Sequence, residues 1–124
     1  MLRGGLTEKH VDVPELLATL EFEPRLPELL APLAGDAVES SYVTPAREFA
    51  LSVVEPGPDR PFDSGPRDRV EILFCSNGAV VIEGDVAPEA ASLTAGAAAI
   101  VPAIAGAYRL TGQGAVYRAT VPRA

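Results

Sequence analysis

The sequence predicts an all-β domain, a sandwich or barrel preceded by a short helical segment, and three observations carry that prediction. From Glu39 onward the apolar residues fall into seven short runs, rich in β-branched side chains and separated by Gly, Pro, Asn or Asp. Before Gly35 the apolar spacing is helical instead, so the period changes at one place in the chain. A length of 124 residues leaves room for one core, burying about 65% of the surface that the unfolded chain would expose.

The elements follow in order. Asp12 precedes Pro14, Glu15, Leu16, Leu17 and Leu20. An acceptor side chain stands before free amides, a proline sits where its missing N–H is harmless, and leucines share one face, which predicts a helix of about two turns. Pro24 and Pro27 end it, and Pro27-Glu28-Leu29-Leu30 starts a further turn before Pro32 and Gly35. Both helical pieces are expected to pack against the sheet. Strands are predicted over 40–43, 47–55, 69–76, 78–83, 97–101, 107–110 and 115–121. Asn77-Gly78 predicts a tight hairpin, because both residues tolerate positive φ and join two apolar runs directly. The stretch 56–66, with four Pro and two Gly, predicts an exposed loop.

Charge and cysteine content exclude several functions. The formal net charge is −7, and the nine Arg are scattered along the chain, which argues against nucleic acid or an anionic membrane as partner. Cys75 is the only cysteine, so no internal disulfide forms, and a reducing cytoplasm is the expected compartment. Met1 is not followed by a basic and then an apolar region, no stretch approaches the ~18–20 uninterrupted apolar residues of a membrane helix, and the chain is expected to be soluble. In its apolar strand, Cys75 is expected to be a small, inert, buried hydrophobe. Asp59, Asp63, Asp68 and the Glu residues form no recognisable pair and read as surface solubilisers. Tyr108 and Tyr117 read as sheet-packing residues whose hydroxyls reach the rim.

The most informative stretch is the opening, Leu2-Arg3-Gly4-Gly5-Leu6-Thr7-Glu8-Lys9-His10, which holds the only Lys and the only His of the chain. It resembles the R-[AG]-G-x-T-x-K stretch that follows the last zinc ligand in type I mannose-6-phosphate isomerases, zinc-dependent cupin enzymes. Glu48-Phe49-Ala50-Leu51-Ser52, Glu71-Ile72-Leu73-Phe74-Cys75-Ser76-Asn77-Gly78 and Leu93-Thr94-Ala95-Gly96 leading into Val101-Pro102-Ala103 extend the resemblance. They look like successive strands of that family's C-terminal cupin domain.

The resemblance implies a cupin-like jelly roll over residues 38–124 and, over residues 1–37, a helical remnant of the catalytic cupin domain. It implies interconversion of mannose 6-phosphate and fructose 6-phosphate, with a sugar phosphate as the partner and zinc as the parent family's metal. It places Arg3 as the catalytic arginine that stabilises charge near the sugar oxygens, and Lys9 as the lysine that contacts substrate phosphate. Those roles suit a planar cation beside an enediolate and a compact ammonium beside a phosphate. Read from the residues alone, Arg3 and Lys9 are solvated terminal charges, and His10 is a surface or packing residue rather than a ligand.

The family's zinc ligands, a Gln-x-His pair, a Glu and a further His upstream of the Arg-Gly-Gly segment, have no match here. No metal is therefore expected in this chain, and the isolated chain is expected to be inactive. The alternative is a stand-alone, metal-free cupin module with a binding or scaffolding role. Apolar surface left open by a missing neighbour predicts dimers or weak association.

Overall fold

In a computed structural model of the protein, residues 11–34, 38–85 and 90–122 are described. The expected Asp12-capped helix forms as α1 (Val13–Thr19), where the Asp12 carboxylate accepts a hydrogen bond from the Glu15 N–H at 3.1 Å. Leu20 leaves the helix in an extended conformation. The further turn predicted at Pro27 does not form, and residues 20–32 carry no regular structure. Four residues between two prolines make too few helical hydrogen bonds to offset nucleation, and Leu26 and Leu29 have no packing to add. Nor does α1 pack on the sheet: none of its residues is buried, and Val13 and Leu17 are exposed.

Among the described residues, eight strands form one antiparallel sheet: β1 (Leu33–Ala34), β2 (Glu39–Tyr42), β3 (Ala50–Val54), β4 (Phe62–Asp63), β5 (Glu71–Gly84), β6 (Ala91–Thr94), β7 (Ala98–Val101) and β8 (Tyr108–Thr120). The pairing path runs β1-β2-β3-β8-β5-β6, with β4 added to β8 and β7 to β5. The long strands β5 and β8 pair along their length, and each divides its other edge between two short strands. Residues 71–74 of β5 pair with β7 and residues 79–82 with β6. Residues 116–120 of β8 pair with β3 and residues 109–110 with β4.

This arrangement folds the sheet over on itself. Val54, Phe62, Leu73, Val80, Leu93, Val101, Leu110 and Val116 come from six different strands, yet they make one buried cluster, which a flat sheet could not allow. The fold is the all-β, cupin-like jelly roll that the sequence predicts.

Two predicted breaks are in fact continuous strand. Asn77-Gly78 is not a hairpin turn. β5 runs straight through it, with a register shift that pairs Cys75 with Val116 and Asn77 with Ala115, leaving Ser76 as the extra residue of a bulge. Gly78 has φ +75°, so the positive φ that suits a hairpin serves the bulge instead. A Cβ at Gly78 would lie 2.2 Å from the Gln113 carbonyl oxygen, which shows how closely the two long strands approach. Opposite, the expected strands 107–110 and 115–121 merge through Thr111-Gly112-Gln113-Gly114 into β8.

The stretch 56–66 also departs from the expected exposed loop. Pro56 is buried, and Phe62 in β4 enters the core with its ring 6.2 Å from that of Tyr108. One aromatic ring among prolines gains more from filling the barrel end than the surrounding sequence loses by being pinned. Cys75 is fully buried as predicted. No helix among the described residues is long and apolar enough to cross a membrane.

Candidate functional site

Arg3 and Lys9, the residues predicted for catalysis and substrate binding, lie outside the described residues, as does His10. Within the described residues, the strongest concentration of polar chemistry is inside one end of the barrel. Glu71 opens β5 on the same inward face as Leu73 and Cys75, and all three are buried. Arg118 of β8 lies opposite Leu73 and shares the inward face with buried Val116. Alternation along the two strands thus points an acid and a base into one core.

Their contact is two-pronged. Arg118 Nη2 donates to Glu71 Oε1 at 2.7 Å and Nε donates to Oε2 at 2.9 Å. Arg118 Nη1 donates to Glu39 Oε1 at 2.7 Å, and the same Glu39 oxygen accepts from the Ser52 hydroxyl at 2.5 Å. Tyr108 donates its hydroxyl to Glu71 Oε2 at 2.7 Å. A second guanidinium, Arg67, has a side chain only 2% exposed, and its Nε lies 3.3 Å from Glu71 Oε1. That Nε is within ion-pair distance but makes no hydrogen bond. The other Arg67 nitrogens donate to the carbonyls of Gly106, Val101 and Arg69 at 2.6, 2.8 and 3.0 Å, tying the segment after β7 to the start of β5.

Two sequence expectations change here. The Glu residues are not all surface solubilisers: Glu71 is the buried centre of an ion network. The Tyr108 hydroxyl does not reach the rim but turns into the core. Both follow from desolvation, since a buried carboxylate is stable only when its oxygens are filled by cationic or hydroxyl donors. The signal was present in the sequence as opposite charges at inward parity on two apolar strands, Glu71 with Leu73 and Arg118 with Val116. Reading it required knowing that those strands are neighbours.

The electrostatics make this a clamp rather than a proton shuttle. Burial pushes the Glu71 carboxyl up, but hydrogen bonds from Arg118 and Tyr108, with the charges of Arg118 and Arg67, outweigh it and hold the group below its usual 4.5. Burial, then the hydrogen bond to Glu71, pushes the Tyr108 phenol well above its usual 10.0. The hydrogen bond to Glu71 is the main cause holding the Arg118 guanidinium above its ordinary value, against burial. None of the three groups changes charge near neutral pH, so none acts there as a general acid or base.

Beside the clamp opens a cavity of about 370 Å3, lined among others by Arg67, Arg69, Arg118, Glu71, Ser64 and Thr120. A smaller apolar cavity of about 210 Å3 lies between Ile82, Ala99, Val101 and Tyr108. Among the described residues, no group of three or more His, Cys, Asp or Glu side chains could hold a metal ion. Zinc does not fit these residues.

No protein-family model matches the chain. Its sequence is similar to the mannose-6-phosphate isomerase of Salmonella typhimurium, with 35% identity over 86 residues, 68% of this chain and 22% of the relative. With the mannose-6-phosphate isomerase of Escherichia coli it shares 33% identity over 79 residues, 63% of this chain and 20% of the relative. Among solved structures, mannose 6-phosphate isomerase from Salmonella typhimurium bound to substrate and zinc superposes with a TM-score of 0.77 at 31% identity. That match covers 98% of this chain and 30% of the other. The apo form matches with a TM-score of 0.76 and 31% identity, over 98% of this chain and 31% of that one. The sequence matches therefore span about a fifth of the length of the curated relatives, and the structural matches about three tenths of the solved chains.

Proposed function

We propose, from the premise that this chain is related in sequence and fold to mannose-6-phosphate isomerases, that it serves as the C-terminal part of such an enzyme. In this reading residues 38–124 form the second, cupin-like domain, and residues 1–37 belong to the catalytic one. The reaction moves a proton between adjacent carbons of mannose 6-phosphate and fructose 6-phosphate, so negative charge develops on a sugar oxygen. Arg3 stabilises that charge, and Lys9 holds the substrate phosphate. The supporting observation is that similarity at 31% identity extends over 98% of this chain, well beyond a shared β-sheet pattern.

The relatives' zinc is held by residues other than those described here, and the 124-residue chain alone is inactive. The clamp of Glu71, Arg118, Arg67 and Tyr108 serves in place of an acid–base pair: it closes one end of the second barrel and fixes β5 against β8. A second copy of the chain covers the outer sheet face, where Ile72 and Ile100 are register partners and Phe74 stands beside them, all three exposed.

The test is steady-state kinetics in a chimera that carries this chain in place of the matching segment of the Salmonella typhimurium enzyme. Arg3→Ala lowers kcat by about 100-fold or more, as expected for loss of one oxyanion donor. Lys9→Ala mainly raises KM, because a phosphate contact made equally in ground and transition states is uniform binding. Equal, mild effects of both substitutions would refute these roles.

A further inference from the structure

The cavity beside the clamp collects three of the nine Arg of a chain whose net charge is −7. Two of them, Arg67 and Arg118, are balanced by Glu71 and Glu39 within the network. Arg69 is different. Its partner, Asp68, is 70% exposed with its carboxylate 3.4 Å from Arg69 Nε, so solvent screens most of that attraction. Arg69 Nη1 is fixed by the carbonyls of Val121 and Pro122, and Nη2 enters neither bond. Each terminal nitrogen of Arg118 gives one N–H to a carboxylate and keeps a second. The Nε of Arg67 is buried against Glu71 Oε1 at 3.3 Å and is closed to a ligand, so Arg67 adds charge to the wall and no donor from that atom.

We propose that this cavity is a binding site for a small oxyanion, a phosphate ester or free phosphate, held chiefly by Arg69 and Arg118. Arg69 and Arg118, whose terminal nitrogens keep N–H groups outside the hydrogen bonds given above, both line this cavity, and an oxyanion supplies several acceptor oxygens at once. The guanidiniums are already oriented by backbone carbonyls and carboxylates, so little side-chain freedom is lost on binding. Ser64 and Thr120 also line the cavity, with their hydroxyl protons already donated to the Gly65 and Val70 carbonyls, so the donors left to a ligand are those of the arginines. The cavity volume falls within the range of small-molecule sites, about 300–1,000 Å3. The proposal uses only described residues and does not depend on the isomerase reading.

Isothermal titration calorimetry of the 124-residue chain at low ionic strength, with inorganic phosphate, fructose 6-phosphate and fructose, tests the proposal. Both phosphate compounds bind and fructose does not; tighter binding of fructose 6-phosphate identifies a phosphate ester as the ligand, and equal binding identifies free phosphate. Arg69→Gln weakens phosphate binding about tenfold or more, in line with loss of a charge-assisted hydrogen bond. Ala50→Met, which narrows the cavity from its wall without altering charge, also abolishes binding. Arg109→Gln, an exposed arginine outside the cavity lining, leaves the phosphate heat in place. Circular dichroism confirms that each variant is folded. No heat with either phosphate compound, binding of fructose alone, or phosphate binding retained undiminished in Arg69→Gln would overturn the proposal.

Discussion

Glu71 and Arg118 stand on the adjacent strands β5 and β8 and close a two-pronged bridge inside the barrel, with nitrogen–oxygen distances of 2.7 and 2.9 Å. The bridge is the hub through which Glu39 of β2, Tyr108 of β8 and Arg67 before β5 are held together. Removing Arg118 takes both guanidinium hydrogen bonds from the buried Glu71 carboxylate and leaves it only the Tyr108 hydroxyl and the Arg67 Nε at 3.3 Å. Arg118→Ala is therefore expected to destabilise the fold by about 3–5 kcal/mol, whereas the paired replacement Glu71→Gln with Arg118→Met loses much less. Urea denaturation of the two variants measures the difference, and equal losses would mean that the bridge is not coupled.

The same network sets the pH limits of the fold. The folded pKa of Glu71 is lowered, so the unfolded chain binds the extra proton first as pH falls below 4.5; its contribution is complete above 4.5 and is lost as pH falls through the folded value. The folded pKa of Tyr108 is raised, so its contribution is complete below 10.0 and is lost as pH rises from there toward the folded value. Thermal denaturation against pH should show Glu71→Gln flattening the acid limb and Tyr108→Phe flattening the alkaline limb. Parallel curves for wild type and variants would contradict both assignments.

Gly78 is predicted to be irreplaceable. Its φ of +75° and the 2.2 Å that would separate an added Cβ from the Gln113 carbonyl oxygen act together. Gly78→Ala should destabilise the protein by about 3 kcal/mol or more, from backbone strain plus overpacking. Gly65→Ala tests strain alone, because Gly65 has φ +64° with no atom within 4 Å of the added Cβ. Similar losses at the two sites would show that strand approach at the bulge adds nothing.

Much of this architecture is legible in the sequence. The Asp12 cap, the β period after Glu39 and the burial of Cys75 each follow from local pattern. Local pattern fails where one signal serves two structures: Asn77-Gly78 offers positive φ equally to a hairpin and to a bulge, and only the pairing of β5 with β8 decides between them. It also fails for Phe62, whose burial depends on a core assembled from strands far away in sequence. The clamp was hidden for the same reason, because Glu71 and Arg118 are 47 residues apart. The opening segment with Arg3 and Lys9 was legible only by resemblance, and it lies outside the described residues.

The outer sheet face predicts self-association. Ile72, Phe74 and Ile100 are 48%, 43% and 71% exposed on adjoining strands, and a contiguous apolar patch of this kind normally finds a partner. Sedimentation velocity should show dimers that dissociate in the double variant Ile72→Lys with Ile100→Lys. A wild-type chain that stays monomeric at every concentration would rule out pairing through this face.

Whether this chain completes a sugar-phosphate isomerase is decided by the activity of the chimera in which it replaces the matching segment of the Salmonella typhimurium enzyme. Converted product from mannose 6-phosphate is measured at saturating zinc. Turnover within about tenfold of the parent enzyme is expected if Arg3 and Lys9 play the roles proposed for them. A chimera that folds, binds zinc and yet turns over no mannose 6-phosphate would contradict the proposed function.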